Sequence, residues 1–101
     1  KTVAINSIKL SALIDTGSDI SLMCTDSYVK IGAPTLVKRQ IKFRGVGSSE
    51  NVTLGETHVD VRIDGCNFSM TFHIIPYVLL QHAMLIGTDF LNNAKLRIKK
   101  G

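Results

Sequence analysis

Ala12-Leu13-Ile14-Asp15-Thr16-Gly17-Ser18-Asp19 is a short apolar run that ends in a carboxylate and a Thr-Gly turn. The apolar residues read as a strand. A carboxylate at the end of a buried element is costly to desolvate, so its position calls for a use. Asp15 can accept a proton, the Thr16 hydroxyl can bridge to a neighbouring backbone, and Gly17 lets the main chain approach another group closely. Ser18 is placed to donate a hydrogen bond to the outer oxygen of Asp15. The stretch occurs once in the chain.

One carboxylate is a poor activator of water, because it is ionised well below pH 7. Two held close together cannot both ionise and so share a proton. One then serves as base toward a water and the other as acid toward a carbonyl oxygen. The other acidic residues do not offer a second such group. Asp60 and Asp64 alternate with apolar residues and read as solvent-facing. Asp89 stands where a helix begins and reads as its cap. The chemistry of Asp15 therefore calls for a second copy of the chain.

Around this octet the pattern is mostly of period two. Val3 and Ile5, then Ile8, Leu10, Ala12 and Ile14, alternate with polar or small residues across a tight turn at Asn6-Ser7. Residues 20–23 form another short apolar run, and Thr25-Asp26-Ser27 can open a brief helical turn ending near Gly32 and Pro34. A half-polar strand over 37–43 leads into Arg44-Gly45-Val46-Gly47-Ser48-Ser49-Glu50, a turn rich in Gly and Ser. The chain returns over 51–63, and Asp64-Gly65 marks a hairpin into Phe68, Met70, Phe72 and Ile74, with Ser69, Thr71 and His73 on the other face. Pro76 ends that strand. Met84-Leu85-Ile86-Gly87 reads as a buried strand, followed by a short helix from Thr88 and a last strand over 95–99. The expectation is an all-β fold with one short C-terminal helix, in one domain over residues 1–101.

The 101 residues are 45% hydrophobic and 20% charged, within the range of a small globular domain. A core of this size is thin, so association with a second copy would help it. No apolar run reaches membrane-spanning length, so no membrane partner is expected. Lys1 in place of Met points to a piece excised from a longer protein. The net charge is +4, and the basic residues concentrate at 38–44 and 95–100. The aromatics do not interleave with them, so a solvated face is expected rather than a nucleic-acid partner. Cys24 and Cys66 lack a CxxC partner and are expected to stay reduced. His58, His73 and His82 are not spaced as a metal site and read as surface or strand-face residues, His82 near the cleft wall. No metal and no cofactor are expected.

Taken with Gly45-Val46-Gly47 and Leu85-Ile86-Gly87-Thr88-Asp89-Phe90-Leu91, the octet resembles the retropepsins, the single-lobed aspartic proteases of retroviruses and LTR retrotransposons. Within them it is most similar to the gypsy-like branch. The resemblance covers essentially the whole chain. It implies a retropepsin barrel active as a homodimer, with an aspartic endopeptidase activity on its parent polyprotein. It also implies a cytoplasmic location, within retroelement virus-like particles. Asp15 would be the catalytic carboxylate, Thr16 would interlock the two active-site loops, and Gly17 would hydrogen-bond substrate backbone. Residues 43–54 would form a flap with Gly45, Val46, Gly47 and Ser48 at its tip. Leu13, Ile20, Val46, Ala83 and Leu85 would line substrate pockets, with Ser18 and Asp19 at the cleft edge. The flap would pair with substrate as an added strand.

Two departures from the retroviral pattern stand out. Thr88 occupies the position of an Arg that would pair with Asp19. Only fourteen residues precede Asp15, so an interleaving N-terminal strand is expected to be missing, which leaves residues 95–99 to pair alone or the dimer to be weak. The competing expectation is a catalytically retired dimerisation or peptide-binding module on the same fold.

Overall fold

Two turns with positive φ set the hairpins on which the fold is built. Asn6 and Ser7 take φ of 51° and 66°, and Asp64 and Gly65 take 52° and 81°. Positive φ at both central residues gives the two-residue turn whose twist suits paired antiparallel strands. The Asn6 side chain donates to Ile31 O at 2.9 Å and so ties its turn to the body of the protein.

The computed structural model describes residues 1–44, 50–76 and 82–92. Around the first turn, β1 (Thr2–Ile5) pairs with β2 (Ile8–Ile14), and around the second, β6 (Gly55–Ile63) pairs with β7 (Cys66–Ile75). Between these hairpins lie β3 (Leu22–Cys24), α1 (Thr25–Lys30), β4 (Lys42–Arg44) and β5 (Glu50–Val52), and β8 (Met84–Ile86) follows them. A helical stretch occupies 88–92. Six strands close a barrel in the order β1-β2-β8-β3-β7-β6, while β4 and β5 form a separate two-stranded sheet. The all-β fold with a short C-terminal helix is the one the pattern implied, and its closure into a barrel is the one the resemblance implied. Among the described residues no helix is long and apolar enough to cross a membrane.

Period-two alternation places one set of side chains inside. Val3, Ile5, Leu10, Ala12, Met23, Val61, Met70, Phe72, Ile74, Met84 and Ile86 form the core, joined by Ile31 after α1. Each large apolar side chain fully buried there contributes roughly 1.5–3 kcal/mol. A second cluster, Leu22, Cys24, Ile75 and Leu85, packs on the other side of β3, β7 and β8. Cys24 is buried and Cys66 exposed, and both are free thiols.

Several boundaries differ from the periodic reading. The strand expected over 20–23 is β3 at Leu22–Cys24, because Ser21 is used in bonds to later residues. The strand expected over 37–43 shrinks to one bridge, Val37 to Glu56, followed by β4 from Lys42. The return over 51–63 breaks at Thr53-Leu54, where the fully buried Thr53 hydroxyl accepts from Ile41 N instead of standing on a strand face. Helix α1 starts at Thr25, with Cys24 in the cap position and no side-chain cap bond. Gly32, at φ 100°, turns the chain after it. The strand expected over 95–99 lies outside the described residues.

Candidate active site

The Asp15 loop begins where the parallel ladder of β2 and β8 ends. Ala12, Leu13 and Ile14 face Met84, Leu85 and Ile86, and Asp15 N donates to Ile86 O at 3.0 Å, which carries the ladder one residue further. The chain then turns sharply. Gly17 N donates to Asp15 Oδ1 at 2.9 Å, and Ser18 N donates to Asp15 O at 3.2 Å. A side chain able to accept from the backbone two residues on is what lets Asp start such a turn. A Cβ on Gly17 would sit 3.2 Å from that same Oδ1, so a bulkier residue would press on the carboxylate. Asp15 ends half-buried, with Thr16 and Gly17 exposed beside it.

Behind this turn a second layer of bonds joins residues nearly seventy positions apart. Gly87 N donates to the Ser21 hydroxyl at 3.0 Å. That hydroxyl donates to Asp89 Oδ1 at 2.8 Å, and Ser21 N donates to Asp89 Oδ2 at 3.2 Å. Thr88 donates twice to Ser18 O, from N at 2.8 Å and from Oγ1 at 3.2 Å. The two segments are so close that a Cβ on Gly87 would lie 2.4 Å from Ile20 O and 2.7 Å from Ser18 O. Only glycine allows that approach.

These bonds revise three expectations. The Ser18 hydroxyl donates to Ile20 O at 2.7 Å rather than to Asp15, because the turn directs it along its own backbone. Thr88, standing where Arg would meet Asp19, grips the loop through the Ser18 carbonyl instead. Asp89 does accept from Phe90 N at 2.7 Å, but its carboxylate also bolts the helix to Ser21.

Beside the loop opens a groove of about 450 Å³, lined by Gly17, Ser18, Asp19, Ile20, Leu22, Ile41 and Lys42. Its lining combines the apolar Ile20, Leu22 and Ile41 with the charged Asp19 and Lys42, the mixture of surfaces that suits an organic ligand. Four of the expected site residues, Gly17, Ser18, Asp19 and Ile20, meet here. Leu85 is buried in the second cluster, against which Ile20 packs. Leu13 pairs with Leu85 and is exposed. Ala83 packs against the main core, and its carbonyl accepts from Cys24 N at 3.3 Å, so it does not line this groove. His82 is exposed, whereas His73, expected on a strand surface, is buried. Gly45, Val46, Gly47 and Ser48 lie outside the described residues, although β4 and β5, which flank them in sequence, pair as Lys42 to Val52 and Arg44 to Glu50.

The sequence reading missed Leu22, Ile41 and Lys42 as groove residues and Ser21 as the junction of the second layer. Ile41 and Lys42 could have been found as the apolar–polar step just before the Gly-rich turn. Nothing local marks Ser21, whose partners come from the other end of the chain. Among the described residues no three His, Cys, Asp or Glu side chains converge as metal ligands.

A family model described as "gag-polyprotein putative aspartyl protease" matches residues 1–93. No curated protein matches the chain. Among solved structures, the retroviral protease-like domain of Ddi1 from Leishmania major superposes with a TM-score of 0.74 at 21% identity, covering 91% of this chain and 73% of that one. A retropepsin-like aspartic protease from Rickettsia conorii gives 0.66 at 20% identity, over 91% of this chain and 68% of that one. The EIAV protease complexed with the inhibitor HBY-793 gives 0.63 at 23% identity, over 94% and 86%. At these identities the superpositions speak to the fold alone. The match over residues 1–93, laid on a barrel whose β2 opens into the Asp15 loop, means that the chain belongs to the gag-polyprotein aspartyl protease family and has the retropepsin-like fold.

Proposed function

We propose that the chain is an aspartic endopeptidase of the retropepsin type, active as a homodimer in which each copy supplies one Asp15. The observation that carries this reading is the placement of Asp15. Its carboxylate is half-buried, fixed by Gly17 N, and set beside a groove partly lined by Ile20, Leu22 and Ile41. On the strand that leads to it, Leu13 and Ile14 are 39% and 43% exposed. A two-fold contact would cover apolar residues at this place and bring two copies of Asp15 to the axis.

The pair would hold one proton between its two carboxylates. The ionised carboxylate takes a proton from water while the water oxygen bonds to the scissile carbonyl carbon. The protonated carboxylate gives its proton to the carbonyl oxygen, which yields a tetrahedral diol. Return of a proton to the amide nitrogen breaks the C–N bond, with no covalent enzyme intermediate. Thr16 would interlock the two loops, and Gly17 would bind substrate backbone. The 45–48 segment would close over the groove as a lid, which excludes solvent. Ile20, Leu22 and Ile41 would receive apolar side chains. The substrate would be the parent polyprotein of a gypsy-like retroelement, with residues 1–101 as the protease domain acting inside virus-like particles.

The test is Asp15→Asn in the purified chain, assayed on peptides spanning candidate polyprotein sites. Cleavage by the wild type that is lost in the variant, with dimer mass unchanged in sedimentation, is the expected result. Equal cleavage by both proteins would refute the mechanism. A wild type that dimerises and binds a statin-type transition-state mimic without cleaving would instead point to a retired peptide-binding module.

A further inference from the structure

Away from Asp15, a group of titratable side chains gathers on β6 and β7, on the opposite side from the core residues Phe72 and Ile74. Glu56 and His73 face each other across the two strands, and His58 and Thr71 form the next such pair. The Glu56 side chain is only 6% exposed. Its Oε1 lies 3.2 Å from Arg39 Nη1 and 3.9 Å from His58 Nε2, while Oε2 lies 4.0 Å from His73 Nδ1. His58 is held by its other nitrogen, 2.7 Å from the Thr71 hydroxyl. His73 Nδ1 is buried and has no hydrogen-bond partner. A buried polar atom left unpaired normally calls for an explanation.

Glu56 also holds the 37–41 segment through its backbone. Val37 N donates to Glu56 O at 2.8 Å, and Glu56 N donates to Val37 O at 2.9 Å. At the far end, Ile41 N donates to the Thr53 hydroxyl at 3.0 Å, and Thr53 N donates to Ile41 O at 2.9 Å. Arg39 lies between these two attachments, and its guanidinium is 71% exposed. Ile41 and Lys42, at the end of the segment, form one wall of the groove. His73 stands beside Leu22, which lines the same groove.

We propose that Glu56 is a positioning residue for this groove wall, holding Arg39 through Oε1 more or less firmly according to the charge of His73 beside Oε2. With His73 neutral, Arg39 has the carboxylate and the 37–41 segment is held against β6. With His73 protonated, Nδ1–H donates to Oε2, the second positive charge weakens the hold on Arg39, and the segment loosens. The groups acting on His73 are Glu56 and His58 from β6, Arg39 from the 37–41 segment and Asp89 from the helix at 88–92; β3 contributes the apolar Leu22. Burial lowers the pKa of His73 from 6.5, against the pull of Glu56 and Asp89, so the change falls on the acid side of neutrality. The meaning for substrate rests on the protease reading, but the latch itself does not.

Amide hydrogen exchange of Val37 tests the latch directly in the full chain, corrected for the intrinsic rate and followed from pH 8 to pH 4. In the wild type, protection should fall by up to about fivefold on acidification, the scale of one largely exposed ion pair. In His73→Leu it should stay at its neutral level. In Arg39→Gln, an exposed change that leaves the core intact, it should be low throughout, and Glu56→Gln should match it. Protection in the wild type that does not change with pH, or that Arg39→Gln leaves unaltered, would overturn the proposal. Where peptide cleavage is present, KM should follow the same pH dependence with kcat unaffected by Arg39→Gln. A latch seen by exchange in a chain that cleaves no peptide would sink the protease reading and leave the latch standing.

Discussion

The Asp15 loop and the 37–41 segment stand on two sides of one groove, and they are held in different ways. The loop is pinned by Gly87, Thr88, Ser21 and Asp89 through short bonds, most of them to backbone, and by a contact that admits no Cβ. The segment is held by two backbone attachments and by Arg39 reaching from solvent to the buried Glu56. Bonds of the first kind are hydrogen bonds between groups packed closely together, and they fix geometry. The second kind depends on charge and can yield. On the proposed protease reading, a catalytic carboxylate must stay where it is placed, whereas a groove wall has to accept different side chains.

The largest break in this contrast should come from Gly87→Ala. The added methyl meets the backbone oxygens of Ile20 and Ser18, neither of which is the end of a flexible side chain. A loss of about 3 kcal/mol is expected, measured as a lower urea midpoint at unchanged slope. Activity should fall further than stability explains, because the displaced backbone carries Asp15. Ser21→Ala is next. It leaves Gly87 N without its acceptor and removes a donor from Asp89, at about 2 kcal/mol, again with lowered cleavage. A stability loss with full activity in either variant would mean that the second layer does not position the loop.

On the other side of the groove, His73→Leu should alter the pH dependence of stability. Because burial lowers the His73 pKa in the fold, the unfolded chain binds its proton first as pH falls below 6.5. Wild-type stability contributed by this residue therefore declines as pH drops from 6.5 to the lowered folded value, and levels off below it. The variant should lack that decline in thermal midpoints taken over the same window. A profile unchanged by the substitution would show that His73 does not titrate with folding. The smallest effect is expected from Arg39→Gln, about 1 kcal/mol or less because the guanidinium is largely in water. Its loss should show in groove-wall exchange more than in overall stability.

The period-two pattern, the Asp64-Gly65 turn and the Asp15-Thr16-Gly17 triplet are local signals, and each was legible along the chain. Alternation reports which side of a strand meets the core, and a turn residue reports its own φ. Ser18 shows where such reading stops. Its hydroxyl was expected to meet Asp15, and the curvature of the turn sends it to Ile20 O instead. Thr88 looked like the loss of an ion pair, yet it holds the same loop through a carbonyl.

By itself, then, the sequence determined the all-β class, the hairpins and the one loop where a carboxylate ends a strand, because these follow from residue spacing and backbone preference; the barrel came only from the family resemblance. The tertiary structure alone decided that Ser21 joins Gly87 and Asp89, that Ile41 and Lys42 wall the groove, and that Glu56 lies between Arg39 and His73. Those contacts link residues far apart in the chain, and only barrel closure brings them within a few ångströms. No periodicity or motif encodes such distances, and burial, which sets the charge state of His73, exists only once the strands have met.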